Sequence, residues 1–168
     1  MAYLTAAVVL LGAVSLLNLA LLVGLVRRLR QDTGGPTGDH LAATGSVIGD
    51  FAVTAVDGAT VSPAMVTGPT LVGFFAPGCE PCTALIPRFV AAAASYDRAV
   101  AVVAEGEDDS GYVADLSTVA TVVRDDQAGP VVEAFAVTGF PAVCVVGAGG
   151  IVTATGIRLV PDLRPVPA

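Results

Sequence analysis

Apolar residues in this chain fall into separate runs whose lengths and spacing predict alternating strands and helices. Three runs of five to seven residues show almost no polar alternation, which is typical of strands covered on both faces. They predict strands at Thr70–Ala76, Ala99–Ala104 and Ala142–Val146. After the first run, Cys79–Tyr96 predicts a helix, which Pro87 should kink because proline lacks a backbone donor.

Shorter patterns complete the predicted domain. Phe51–Val56 is typical of a strand, and the turn signal Asp57-Gly58 indicates a hairpin that returns through Thr60-Val61. The other predicted elements are short helices at 62–65 and Pro130–Phe135, a helix at Asp109–Leu116, and strands at Val119–Val123 and Ile151–Thr155. Strands that alternate with helices and end in a hairpin predict an α/β domain of three layers.

The longest apolar run lies at the N-terminus. Ala2–Val26 carries no charge and spans about 25 residues, enough for a helix to cross a bilayer. A cleaved signal peptide is the alternative, but it would have a basic segment ahead of a shorter apolar core. The 168-residue chain is therefore predicted to divide into a transmembrane anchor (1–26), a basic edge and flexible linker (27–46), a folded domain (47–157) and a proline-rich tail (158–168).

Charge is distributed very unevenly along the chain. Arg27, Arg28 and Arg30 follow the predicted anchor, and the positive-inside rule then places the folded domain in the cytoplasm. Residues 31–168 carry five arginines against fifteen acidic residues, a formal charge of −10. So acidic a surface makes nucleic acid and anionic lipid poor partners for this domain.

The candidate chemistry lies in the pair Cys79 and Cys82, at the predicted junction between a strand and a helix. There the first sulfur sits at a helix N-terminus, where free N–H groups favour a thiolate. One thiolate can attack a substrate disulfide while the second thiol resolves the mixed disulfide. The alternatives are a static disulfide, half of a zinc site, or a chance occurrence of the spacing. A zinc site needs four ligands, and the chain adds only Cys144 and His40.

Two residues between the cysteines affect this chemistry. Pro81 suits the first turn of a helix. Glu80 is expected to be exposed, and its negative charge beside Cys79 opposes formation of the thiolate. Cys144, flanked by valines, is expected to be a buried inert thiol, with a third redox partner as the alternative.

Several stretches, taken in order, resemble membrane-anchored thiol-disulfide oxidoreductases of the TlpA/ResA type, which have a thioredoxin-like fold. The matching stretches are Ile48-Gly49-Asp50-Phe51 with Asp57-Gly58, the run from Phe74 to Cys82, Pro87, the run from Phe135 to Ala142, and Gly149-Gly150-Ile151-Val152. The methylamine-dehydrogenase accessory branch is similar in layout. The resemblance implies catalysis by Cys79 and Cys82, with no cofactor or metal beyond their redox-active disulfide. Its implied partners are protein disulfides or dithiols, an electron-donor thiol protein, and the membrane through residues 2–26.

The resemblance also implies a supporting site and an orientation. It places a cis bond between Phe140 and Pro141 against the cysteine pair, where the backbone of Phe140 can pair with an extended substrate. The resemblance favours a folded domain outside the cytoplasm, whereas the arginines after the predicted anchor favour a domain inside it. Two departures stand out, because the chain has no tryptophan and Gly73 occupies the position of the buried acid of many thioredoxins.

Two other functions share these features. A peroxiredoxin of the AhpC/TSA type has the same fold, but it needs a threonine where this chain has Ala76, and a cysteine as close as Cys82 is unusual there. A membrane-tethered binding or chaperone module with an inert disulfide is the non-enzymatic alternative.

Overall fold

A computed structural model describes residues 40–160, except 107–108 and 125–126, together with six residues nearer the N-terminus. Those six, which are all helical, are Tyr3, Thr5, Gly12, Ser15, Asn18 and Leu19. Contacts divide the chain into two units, Met1–Pro36 and Thr37–Ala168. Apart from the six, the predicted anchor and basic edge lie outside the described residues, as does the tail after Val160. No helix among the described residues is long and apolar enough to cross a membrane.

Within its described residues, the second unit has the strands β1 (Val53–Thr54), β2 (Thr60–Val61), β3 (Thr70–Phe75), β4 (Arg98–Val103), β5 (Thr121–Arg124), β6 (Ala142–Gly147) and β7 (Ile151–Thr155). Five of them form a mixed sheet in the order β5-β4-β3-β6-β7, and β1 and β2 form a separate hairpin. The helices are α1 (Glu80–Ala93), α2 (Ser110–Leu116) and α3 (Ala128–Ala134), with 3-10 turns at Pro63–Met65, Ala148–Gly150 and Ile157–Leu159. The predicted mixed α/β fold and its N-terminal hairpin are confirmed.

The pairing of the strands follows from their connections. β3, β4 and β5 run parallel because α1 and α2 carry the chain back between them. β6 and β7 pair antiparallel at the other side of β3. β3 is therefore the central strand, and the residues that follow it leave from the middle of the sheet.

Both faces of the sheet are covered, which gives three layers. Val72 and Phe74 of β3 join the core formed with α3 and the hairpin, while Leu71 and Phe75 join the core formed with α1 and α2. Because successive side chains of β3 point to opposite faces and both faces are packed, this strand shows no polar alternation.

Some predicted boundaries were wrong, for local reasons. The strand predicted at Val119–Val123 begins only at Thr121, because the N–H groups of Val119 and Ala120 bond to the carbonyl of Leu116 and continue the last turn of α2. The first predicted strand shrinks to Val53–Thr54.

The chain is bound to the domain before residue 47. The N–H of Ala42 donates to the carbonyl of Phe135 at 2.9 Å, and the carbonyl of His40 accepts from Thr138 at 2.9 Å. Ser46 and Val152 are joined in the same way at 2.9 Å. The flexible linker predicted for 27–46 therefore does not extend over residues 40–46; residues 27–39 lie outside the described residues.

Gly73 permits the contact that seats α1 on the sheet. The rings of Phe75 and Phe89 meet edge to face, with centroids 5.4 Å apart. A Cβ on Gly73 would lie 2.6 Å from Phe89 Cε2 and 2.8 Å from Phe75 Cε2, closer than carbon atoms can approach. The rings thus fill the space that an acidic side chain at this position would need.

We expect Gly73→Ala to lower the free energy of unfolding by about 1–3 kcal/mol, because the added methyl group overpacks the two rings. Gly129→Ala is the matched control, since it lies in α3 with open space around its Cβ position. It should be neutral or raise stability by up to about 1 kcal/mol. Urea unfolding of both variants measures the difference, and equal stabilities would contradict this account of the packing.

Candidate active site

The cysteine pair lies where the central strand gives way to α1. β3 ends at Phe75, and Gly78 turns the chain with a φ of 76°, a conformation that a side chain would strain. Cys79 is the N-cap of α1 and Cys82 lies in its first turn. A disulfide joins them, with the two Cα atoms 5.2 Å apart. The left-handed backbone at residue 78 also explains the absence of a large side chain directly before Cys79.

The two sulfurs differ sharply in exposure. Cys79 is half-buried, whereas Cys82 is completely buried in the core beneath α1. The Cys79 Sγ accepts a hydrogen bond from the backbone N–H of Cys82 at 3.2 Å. A sulfur at a helix N-terminus that accepts an N–H is placed to carry negative charge. Cys79 can therefore act as the surface nucleophile and Cys82 as the internal partner.

The two residues between the sulfurs lie as predicted. Glu80 is exposed in the first turn of α1, and Pro81 occupies a first-turn position, where its missing N–H costs nothing. An exposed carboxylate is well solvated, so Glu80 acts on the pair only weakly.

No buried carboxylate stands behind Cys82 within the part of the chain that the structure describes. Thr70 is the one polar residue there that is buried, and its hydroxyl donates to the carbonyl of Gly68. The described neighbours of Cys82 in its core are apolar. Among the described residues, the buried thiol thus has no internal acid to accept its proton.

The loop before β6 lies beside the pair. The Phe140–Pro141 bond is cis, as the resemblance implied. Phe74 pairs with Ala142 across the sheet, so continuing that antiparallel register sets Pro141 beside Phe75, just ahead of the cysteine loop. The side chain of Phe140 packs against the core that contains Cys82, as Cys79 does, and also against the core on the opposite face.

Sequence reasoning missed three side chains near these loops. The Tyr112 hydroxyl lies 2.6 Å from the Thr83 hydroxyl and 3.4 Å from the carbonyl oxygen of Cys79. His40 places its ring against Gly139, directly before Phe140. Of the three, only Thr83 could have been placed near Cys79 from the sequence, because residues four apart on the predicted helix lie on the same face. Tyr112 and His40 reach the site through tertiary packing.

Cys144 lies on β6 in the core of the opposite face of the sheet, among the side chains of the α3 layer. It is completely buried, and desolvation raises the pKa of its thiol to about 12. The expected burial of Cys144 is confirmed, and its inertness stays a prediction that the raised pKa supports. Cys144 lies across the sheet from the pair and so cannot join it in a zinc site. Among the described residues, no three His, Cys, Asp or Glu side chains are placed to hold a metal ion.

Similarity between this chain and known proteins is found among solved structures. No protein-family model matches it, and no curated protein matches it in sequence. Among solved structures, a thiol:disulfide interchange protein from Bacteroides sp. is 23% identical with a TM-score of 0.55, over 67% of this chain and 80% of its own. A candidate thioredoxin from Neisseria meningitidis is 27% identical with a TM-score of 0.55, over 64% and 77%. A secreted Mycobacterium tuberculosis disulfide oxidoreductase homologous to E. coli DsbE is 22% identical with a TM-score of 0.52, over 71% and 87%.

These likenesses show that the chain has a thioredoxin-like fold. Several of the structural neighbours are thiol:disulfide interchange proteins, and this chain has two cysteines three residues apart that are joined by a disulfide. The comparisons thus establish the fold, and the structure places a disulfide-bonded cysteine pair at the start of α1 within it.

Proposed function

We propose that this protein is a membrane-tethered thiol-disulfide oxidoreductase that reduces disulfides of partner proteins through Cys79 and Cys82. The observation that carries this proposal is the asymmetry of the pair. A half-buried sulfur at a helix N-terminus is bonded to a fully buried one. In such an arrangement the exposed sulfur attacks the partner disulfide, and the buried sulfur releases the partner from the mixed disulfide.

The reaction proceeds in two exchanges. The Cys79 thiolate attacks one sulfur of the partner disulfide, forms a mixed disulfide and releases the other sulfur as a thiolate. The Cys82 sulfur then attacks the Cys79 sulfur, re-forms the internal disulfide and releases the second partner thiolate. The Cys82 proton passes to a departing thiolate, since no buried carboxylate among the described residues can take it. Two electrons move to the partner, and an electron-donor thiol protein restores the dithiol.

The loop at Phe140 and Pro141 is proposed to hold the partner during attack. Proline has no N–H, so the loop offers the partner the backbone of Phe140. An extended segment could bond to this backbone as an added strand while its sulfur faces Cys79. The packing of Phe140 against the core of the cysteine pair supports this role.

A peroxidase is the weaker candidate. Ala76 offers no hydroxyl to bind peroxide beside Cys79, and Cys82 bonds directly to Cys79. A buried, adjacent resolving sulfur suits exchange with protein disulfides better than turnover of peroxide.

Membrane tethering is proposed through the uncharged run 2–26, with the domain on the outer side. The length of the run supports the anchor. Disulfide exchange is more useful in an oxidising compartment, and one of the structural neighbours is a secreted protein. Both arguments outweigh the three arginines that favour the opposite orientation.

Substitution of each cysteine tests the exchange cycle. Cys79→Ser should abolish reduction of insulin disulfides, because the attacking sulfur is gone. Cys82→Ser should accumulate mixed disulfides, because Cys79 still attacks but nothing resolves the product. Cys144→Ala is the control and should retain activity, since that thiol lies across the sheet. Full insulin reduction by Cys79→Ser would refute the proposal.

The orientation is tested by labelling intact cells with a membrane-impermeant thiol reagent after mild reduction. We expect Cys79 to be modified. Cys144 should stay unmodified until the protein is unfolded, because burial raises its pKa to about 12 and blocks access. Protection of Cys79 in intact cells, with modification after lysis, would place the domain in the cytoplasm.

A further inference from the structure

Two side-chain hydroxyls lie against the backbone carbonyl of the attacking cysteine. The hydroxyl oxygens of Thr83 and Tyr112 are 2.6 Å apart, and each lies 3.4 Å from the carbonyl oxygen of Cys79. One hydroxyl can donate to the other while the second donates to the carbonyl. The three oxygens thus form a short relay beside the first turn of α1.

That carbonyl helps to set the geometry around the sulfur. It accepts the backbone N–H of Cys82 at 2.9 Å and that of Thr83 at 3.1 Å. The same N–H of Cys82 also points at the Cys79 Sγ, 3.2 Å away. This N–H is thus shared between the Cys79 carbonyl and the Cys79 sulfur, so a shift of the carbonyl would change how the N–H faces the sulfur.

Tyr112 brings a second element to this turn. It lies on α2, more than thirty residues along the chain from Cys79, and its half-buried side chain packs against the same core as Cys79 does. Asp109, the N-cap of α2, forms an ion pair with Arg124 of β5 at 3.5 Å. The relay thus joins the first turn of α1 to a helix that is itself attached to the sheet.

We propose that Tyr112, acting through Thr83, is a positioning residue for Cys79, and this inference rests on the proposed function. The relay holds the first turn so that the N–H of Cys82 faces the Cys79 sulfur and favours its thiolate. No carboxylate or basic side chain is required for this effect. The hydroxyls bind the Cys79 carbonyl, and the Cys82 N–H donates to the Cys79 sulfur.

The test measures how fast iodoacetamide modifies Cys79 in the reduced, full-length protein between pH 5 and 9, with the modified peptide identified by mass spectrometry. Tyr112→Phe keeps the ring and removes the hydroxyl. At the acidic end of the profile it should slow modification about three- to tenfold, as a shift of half to one pH unit in the midpoint would do. Thr83→Val should have the same effect, and the double variant should be no slower than the slower single variant.

Two controls separate positioning from general damage. Thr83→Ser restores the hydroxyl and should react like the parent protein. Tyr96→Phe makes the same chemical change beyond the far end of α1 and should leave the profile unchanged. Cys144 should remain unmodified in every variant, which confirms that the fold is intact.

A parent-like profile for Tyr112→Phe would overturn the inference, and so would a Thr83→Ser variant as slow as Thr83→Val. If Cys144 is modified in Tyr112→Phe, that variant is no longer intact, and the comparison of Thr83→Ser with Thr83→Val then tests the inference by itself. The readout involves no partner protein. An inactive parent protein whose Tyr112→Phe profile is still shifted would sink the proposed function and leave the positioning role intact.

Discussion

The edge-to-face contact of Phe75 and Phe89 over Gly73 is the constraint on which the site depends. It seats α1 on the central strand at one position, because the rings leave no room for a side chain on Gly73. With the helix held there, Cys79 must cap its exposed start while Cys82, one turn later, points into the core. Different exposure of two chemically identical sulfurs therefore follows from the packing of two rings.

The same contact determines what the site lacks. Many thioredoxins use a buried acid behind the second thiol, and here that space holds aromatic carbon. The chemistry must then rely on the helix N-terminus, on the N–H that faces Cys79, and on burial of Cys82. The exposed Glu80 adds little to these. In a site governed by backbone and burial, the hydroxyl relay acts at the first turn, on the backbone that faces Cys79.

The sequence predicted the parts that depend on local pattern or on short motifs. The three apolar strands, the helix after Cys79, the turn at Asp57-Gly58 and the cysteine chemistry all follow from periodicity and spacing. The cis bond at Pro141 came from resemblance alone. Tyr112 and His40 could not be predicted, because each reaches the site from an element distant in sequence. The start of β5 was misplaced because local backbone hydrogen bonds to Leu116 continue the last turn of α2 through Val119 and Ala120, although valine has a high strand propensity.

The central claim is that the disulfide between Cys79 and Cys82 opens and closes reversibly in the folded protein. Equilibrating the full-length protein against graded dithiol and disulfide buffers, with the oxidised fraction read by thiol labelling, measures its reduction potential directly. The account predicts a single two-electron transition above about −300 mV, within reach of cellular thiol donors. A potential far below about −300 mV would mark the bond as structural and contradict the account.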